Sequence, residues 1–309
     1  MKVGIVGAGF VGAAAANALA LRHVASEVVL VDLNETKAAA EAADVAHVTP
    51  FSAPVRVTAG GYGSLAGATV VVLTAGAAQR PGQSRMDLLQ TNARIMSSIV
   101  PEVVAHAADA VLLVATNPVD VITRVAELRA VEQGVPAERV FGTGTMLDTA
   151  RFRQIVAAWI GVDVTHVHGY VVGEHGDSEV LVWSSLDVAG GPLAEFVAAM
   201  GGTFTDRDRA QIEDEVVNAA ARIIEGKGAT YYGVAAAIAR AVEVVLRNRR
   251  SILSVSAWSP EYRCALSLPR LVSGDGVVRE LGVSMDDDER ARLARSADVL
   301  RAALAQVGS

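Results

Sequence analysis

Six short apolar runs recur through the first 142 residues: Lys2–Val6, Glu27–Val31, Val55–Ala59, Thr69–Thr74, Ala110–Ala115 and Arg139–Gly142. None alternates with polar residues. Alternation marks a strand with one wet face, and its absence marks strands covered on both faces. Between the runs lie stretches of helical character, Phe10–Leu21, Glu35–Val48, Asp87–Ala108 and Val119–Val131. Strand–helix repetition with doubly buried strands predicts an α/β fold on a doubly wound parallel sheet. The right-handed crossover rule leaves few ways to thread it. A length of 309 residues suits about two domains.

The pattern changes near residue 145. A helix over Leu147–Ile160 leads into an extended stretch, Thr165–Val172, and a polar Gly-rich turn. Long helices over Asp206–Glu225 and Tyr231–Arg247, strands at Ile252–Ala257 and Ala265–Leu271, and a last helix near Met285 follow. Ser284 is placed to cap that last helix, with Asp287 at its third position. Residues 1–144 thus form one expected domain and residues 145–309 a second, of mixed α+β type. The run Arg247-Asn-Arg-Arg250 reads as a solvated helix end.

Composition removes several function classes. The chain is 51% apolar with a net charge of −7, so it can bury a sizeable core and lacks the basic surplus of a sequence-independent nucleic-acid binder. The single cysteine, Cys264, excludes a disulfide framework and a thiolate metal cluster. Met1-Lys2 followed by uncharged residues to Leu21 has the outline of a signal peptide, but glycines and Asn17 interrupt it, and Glu27–Asp32 reads as a second buried strand. No other stretch approaches the roughly 20 apolar residues of a membrane span. The expectation is a soluble, cytoplasmic protein.

Gly7-Ala-Gly9-Phe-Val-Gly12 follows the first strand and opens the first helix. In that context Gly7 permits the tight turn, Gly9 lets backbone approach a pyrophosphate, and Gly12 lets helix and strand touch. The unpaired N–H groups of the helix start supply an anion site. Asp32 ends the second strand, 20 residues after Gly12. A carboxylate there accepts from both ribose hydroxyls and repels a 2′-phosphate, which favours NAD over NADP. A Rossmann-type dinucleotide site is therefore expected. On the glycines alone FAD stays open, and so does a packing turn with Asp32 capping a helix.

Four further segments appear in order: Ala75-Gly-Ala-Ala-Gln-Arg-Pro-Gly-Gln-Ser-Arg85, Thr116-Asn-Pro-Val-Asp120, Leu147-Asp-Thr-Ala-Arg-Phe-Arg153 and Gly173-Glu-His-Gly-Asp-Ser178. With Lys227-Gly-Ala-Thr-Tyr-Tyr232, they make the chain resemble, over essentially its whole length, the L-lactate/malate dehydrogenase family, and within it the bacterial L-lactate dehydrogenases. The resemblance implies NAD as cofactor, no metal, and a second domain that carries substrate and catalysis. It gives His175 the exchange of a proton with a hydroxyl, which an imidazole can do in both directions. Asp148 orients that imidazole and stabilises its charged form. Arg151, three residues on and so on the same helix face, takes the substrate carboxylate as a fork. An Asp148–Arg151 ion pair within the helix is the alternative. Arg85 ends a lid loop and polarises the substrate carbonyl on closure. Asn117, at a strand end, bonds the substrate oxygen or the cofactor. Phe10, Val11, Gly76 and Ala77 join the glycines and Asp32 at the cofactor, and Thr230 bounds the pocket for the substrate methyl.

Charge counting separates the 2-oxo acids. Pyruvate brings one carboxylate, matched by Arg151, whereas oxaloacetate brings a second that needs its own partner in a closed site. Malate enzymes of the family place an arginine six positions before the lid arginine, and that position here is the neutral Gln79. Arg80 next to it complicates the count, but neighbours in an extended loop point apart. Pyruvate and lactate are expected. Gln83 replaces the glutamate usual in the lid. Arg153 and His168 match positions where bacterial members bind fructose 1,6-bisphosphate across a subunit interface, which implies activation and a homotetramer. A malate dehydrogenase, an NADH-sensing protein without turnover and a structural protein that kept the fold are the rival readings. The full set of His175, Asp148, Arg151 and Arg85 is more than sensing or structure needs.

Overall fold

The computed structural model describes residues 1–77 and 85–307, with Arg85 and Met86 as backbone only. The first half runs β1 (Lys2–Val6), α1 (Phe10–Leu21), β2 (Glu27–Val31), α2 (Glu35–Ala46), β3 (Arg56–Ala59), β4 (Ala68–Leu73), α3 (Arg85–Ala107), β5 (Val111–Val114), α4 (Val119–Glu132) and β6 (Val140–Gly142). Its six strands are parallel, in the order β3-β2-β1-β4-β5-β6. The doubly wound sheet of Rossmann type is therefore present. Element ends differ from the expected ones by one or two residues, the range over which ends fray. The strand order reverses between β1 and β4, and ligands of such sheets gather at the carboxyl ends of the strands there.

The second half runs α5 (Met146–Ile160), β7 (Val167–Val172), β8 (Val180–Val188), a short β9 (Gly191–Pro192), α6 (Leu193–Ala199), α7 (Asp206–Val217), α8 (Ala219–Lys227), α9 (Tyr232–Leu246), β10 (Ser251–Ser259), β11 (Cys264–Ser273), β12 (Gly276–Glu280) and α10 (Asp287–Ala305). β7, β8 and β9 form an antiparallel sheet of their own. β10, β11 and β12 instead extend the first half's sheet to nine strands, with β10 antiparallel to β6 where Ser256 faces Gly142.

The helix expected over 206–225 is two helices. Asn218 divides them, its amide donating to Asp214 Oδ1 at 2.7 Å, a local bond that competes with the helical ladder. The cap of the last helix is Asp286 rather than Ser284. Its side chain accepts the Glu289 N–H at 2.8 Å, and the Glu289 carboxylate accepts the Asp286 N–H at 3.0 Å. Two carboxylates at a helix start also suit the helix dipole, which a serine would not exploit. Strands β8, β9 and β12 and helix α6 were not among the expected elements.

Both faces of the large sheet are covered. One core packs β1, β4 and β5 under α3, α4 and α10, through residues such as Leu73, Met96, Leu112, Ile122 and Leu300. The other packs the opposite face under α1, α2 and α9, through Ile5, Leu19, Leu30, Ile238 and Val242. Helix α9 belongs to the second half of the chain yet covers the first half's strands. A smaller core of Phe152, Val156, Leu181, Leu186 and Ile212 joins α5 and α7 to the second sheet. The turns at the carboxyl end of the large sheet are thus held from both sides.

Candidate active site

The glycine turn is shaped by its missing side chains. Gly7 has φ +109°, and a Cβ there would lie 2.5 Å from the Ala75 nitrogen. A Cβ at Gly12 would lie 1.9 Å from the Gly7 carbonyl oxygen. Both glycines are required by close packing of turn, strand and helix. A Cβ at Gly9 would meet nothing within 4 Å, so this residue borders open space. Gly9 caps α1 without a side-chain hydrogen bond, and no acidic residue lies in the first turn. Its N–H groups are left for an anionic ligand.

Asp32 faces this turn rather than capping α2. Its Oδ2 accepts the Ala8 N–H at 2.7 Å and its Oδ1 the Asn34 N–H at 2.9 Å. The cap of α2 is Asn34, which accepts the Lys37 N–H. The open space at Gly9, the uncapped helix start and the carboxylate beside both are a cradle that fits a dinucleotide. Phe10 is largely exposed, and its ring stacks on Tyr231 at 5.5 Å, which brings the loop bearing Thr230 against the turn. Val11 is half-buried on α1.

Across the strand reversal, Gly76 and Ala77 follow β4 and Asn117 follows β5. Asn92 of α3, which the sequence reading did not single out, ties them together. Its Oδ1 accepts the Ala77 N–H and its amide donates to the Asn117 carbonyl, each at 2.8 Å. Asn117 Oδ1 accepts the Val119 N–H at 3.2 Å, and its amide nitrogen has no hydrogen bond among the described residues. Gln79, with Arg80 and Gln83, lies outside the described residues, and so does the side chain of Arg85, whose backbone opens α3.

His175 sits in the turn between β7 and β8, with Asp148 and Arg151 on the first turns of α5. His175 Nδ1 lies 2.5 Å from Asp148 Oδ2, and Arg151 Nη1 donates to Asp148 Oδ1 at 2.9 Å. One carboxylate thus holds both the imidazole and the guanidinium. The helical ion pair weighed as an alternative is formed, but it is one arm of a three-residue cluster. The Asp148 side chain is 3% exposed and that of His175 25%. Burial opposes charge on both, and their mutual attraction, with Arg151, outweighs it. Asp148 is held below the usual carboxylate range and His175 is raised to about 9.

The turn that carries His175 is pinned from three elements. Asp120 of α4 accepts the His175 N–H at 2.8 Å and the Ser267 hydroxyl of β11 at 3.2 Å. Ser296 of α10 accepts the Glu174 N–H at 2.8 Å. Gly173, at φ +91°, leaves room for that serine, since a Cβ would lie 2.6 Å from its hydroxyl. Burial pushes the Asp120 carboxyl above its ordinary range. Sequence reasoning quoted Asp120 within a motif but gave it no role. It also passed over Glu179, whose carboxyl is buried beside His175 and Asp148.

Arg153 lies on α5 and His168 on β7. Arg153 Nε donates to the Gly169 carbonyl at 2.9 Å, and its guanidinium lies 5.3 Å from the Tyr170 ring. His168 is exposed on β7.

Comparison with known proteins agrees over the whole chain. Residues 1–142 match the family model described as lactate/malate dehydrogenase, NAD binding domain, and residues 145–309 that described as lactate/malate dehydrogenase, alpha/beta C-terminal domain. A relative from Deinococcus radiodurans named L-lactate dehydrogenase is 54% identical over 308 residues, covering 100% of both chains. One of the same name from Thermus aquaticus is 51% identical, again over 100% of each. Among solved structures, the minor L-lactate dehydrogenase of Enterococcus mundtii in a ligand-bound form superposes with a TM-score of 0.94 at 41% identity, over 99% of this chain and 98% of that one.

Proposed function

The chain belongs to the lactate/malate dehydrogenase family and is an NAD-dependent lactate dehydrogenase, and from that premise we propose that it interconverts pyruvate and L-lactate with His175 as proton donor and acceptor. NAD, when bound, supplies the carbon that exchanges a hydride with C2 of the substrate. The cradle of Gly7, Gly9, Gly12 and Asp32 would hold it, with Phe10, Val11, Gly76, Ala77 and Asn117 around it.

The observation that carries the proposal is the single buried carboxylate of Asp148 shared by His175 and Arg151. With Nδ1 held by Asp148, Nε2 is the nitrogen left to exchange a proton with the substrate oxygen. Asp148 stabilises the imidazolium, so at neutral pH the residue stands charged and ready to protonate a ketone. The guanidinium of Arg151, oriented by the same carboxylate, offers its remaining N–H groups to the substrate carboxylate. Asp120 fixes the backbone of His175, which keeps imidazole and guanidinium in register. Arg85, whose backbone opens α3, would polarise the carbonyl, Asn117 would bond the substrate oxygen or the cofactor, and Thr230 would bound the methyl pocket.

Pyruvate is favoured over oxaloacetate because Gln79 offers no charge to a second carboxylate. We further propose that Arg153 and His168 take one phosphate of fructose 1,6-bisphosphate, with the chain as a homotetramer. No helix among the described residues is long and apolar enough to cross a membrane, and we place the enzyme in the cytoplasm. Steady-state oxidation of NADH with pyruvate and with oxaloacetate, each with and without the bisphosphate, tests the substrate preference and the activation. Turnover with pyruvate well above that with oxaloacetate is expected, as is a lower KM for pyruvate when the bisphosphate is present. A preference for oxaloacetate would sink the pocket assignment, and unchanged pyruvate saturation would sink the activation.

A further inference from the structure

Glu179 is the one ionisable side chain in this cluster that neither the catalytic nor the binding roles use. It is buried, and one of its carboxyl oxygens, Oε1, has no hydrogen-bond partner among the described residues. Its backbone N–H closes the His175 turn onto the Gly176 carbonyl at 3.1 Å. One carboxyl oxygen each from Glu179 and Asp148 and one ring nitrogen of His175 lie within 4.8 Å of one another. The Arg151 guanidinium already occupies Asp148, so this trio is an acid–base cluster rather than a cation site. An ionised carboxylate needs donors for its lone pairs, and here an oxygen has none while a second carboxylate stands alongside. The neutral acid is the form this environment accepts.

We propose that Glu179 stands in the resting site as a neutral carboxylic acid, and that its ionisation weakens capture of the 2-oxo acid at alkaline pH. The proposal rests on the assignment of His175 and Arg151 given above. The groups facing Glu179 among the described residues are Asp148 and Arg151 from α5 and His175 and Glu174 from its own turn, with Asp120 of α4 facing His175. Burial first, and then the charge of Asp148, raise the Glu179 carboxyl to about 8, against the pull of His175 and Arg151. Below that pH, Arg151 has Asp148 as its anionic neighbour and keeps attraction to spare for the substrate carboxylate. Above it, a second anion competes for the guanidinium and repels the incoming one. Capture of pyruvate then depends on two protons, one on Glu179 and one on His175.

The pH dependence of kcat/KM reports ionisations of the free enzyme, so it reads both protons. The wild-type value for pyruvate is expected to fall beyond about pH 8 and to steepen toward a 100-fold loss per pH unit once both groups titrate. Glu179→Gln removes one proton and is expected to limit the loss to 10-fold per unit, with kcat near neutral pH retained. A single-proton limb in both enzymes, at the same midpoint, overturns the proposal. Glu179→Ala serves as the second variant if the glutamine form does not fold. Infrared spectra of the protein at pH 7 decide the point independently of turnover: a protonated carboxyl band is expected in the wild type and absent from the variant. If that band is missing the proposal fails, whatever the kinetics. If it is present in an enzyme that does not turn over pyruvate, the functional reading fails instead.

Discussion

Two buried carboxylates, Asp148 and Glu243, show how the same chemistry serves different ends in one chain. Glu243 on α9 is met by four arginines. Arg22 and Arg240 reach one of its oxygens at 3.2 and 3.4 Å, and Arg247 and Arg249 the other at 3.1 and 3.2 Å. Every acceptor site is filled by a permanent cation whose outer end stays in solvent. The cluster ties the end of α1 to α9 and to the segment that follows it, across the nucleotide sheet's outer face. Among the described residues Asp148 has two partners, an arginine with donors to spare and an imidazole that titrates. Saturation by fixed charge makes a clamp. Partners left half-used, one of them able to gain or lose a proton, make a site.

The largest effect should come from the titrating partner. His175→Asn keeps a side chain of similar polarity but cannot exchange the proton, and we expect kcat to fall about 10³- to 10⁴-fold with NADH binding intact. A rapid-reaction trace with the same amplitude of NADH binding but normal turnover would remove His175 from the chemistry. Next is Arg151→Gln. Losing a charged fork to the substrate carboxylate costs about 2–3 kcal/mol, or roughly 30- to 150-fold in kcat/KM, carried mainly by KM. Were kcat to fall while KM held, the guanidinium would belong to the transition state alone, and the comparison with a purely structural arginine would need redrawing.

The unequal legibility of the two halves has a physical cause. Strands β1, β2, β4 and β5 are buried on both faces, so each is written as an unbroken apolar run bounded by a turn. The first helix start is written in glycines that steric contact makes obligatory. In the second half, Val180–Val188 turns polar midway, at Ser184, Ser185 and Asp187, and Gly276–Glu280 forms the sheet's edge, where burial does not impose a pattern. The break at Asn218 and the cap at Asp286 depend on which of several polar side chains finds its backbone partner. At the site, His175, Asp148 and Arg151 were legible through the ordered motifs that carry the family resemblance, and spacing alone added only that Asp148 and Arg151 share a helix face. Asn92 and Asp120 were not, because what they bond is backbone 15 to 55 residues away. Glu179 was passed over for a different reason: what sets it apart is a missing partner, which no spacing encodes.

The smallest expected effect falls on the other carboxylate, and it decides whether the comparison holds. The run Arg247–Arg250 is exposed as its sequence suggests, yet two of its arginines reach back to Glu243 rather than standing free in water. Singly, each such half-exposed pair contributes little, about 0–1 kcal/mol. Removing the shared anion leaves four guanidinium groups converging on a neutral amide. Glu243→Gln should therefore destabilise by about 1–3 kcal/mol, seen as a fall of a few degrees in Tm. Arg22→Ala, which leaves three cations in place, should cost less than half of that. Neither substitution should alter kcat or KM for pyruvate at a temperature where the enzyme is folded, because the cluster works by position and not by proton exchange. A Glu243→Gln enzyme that melts like the wild type but has lost pyruvate affinity would mean that α9 transmits the state of this clamp to the loop carrying Thr230, and the division between clamp and site would fail.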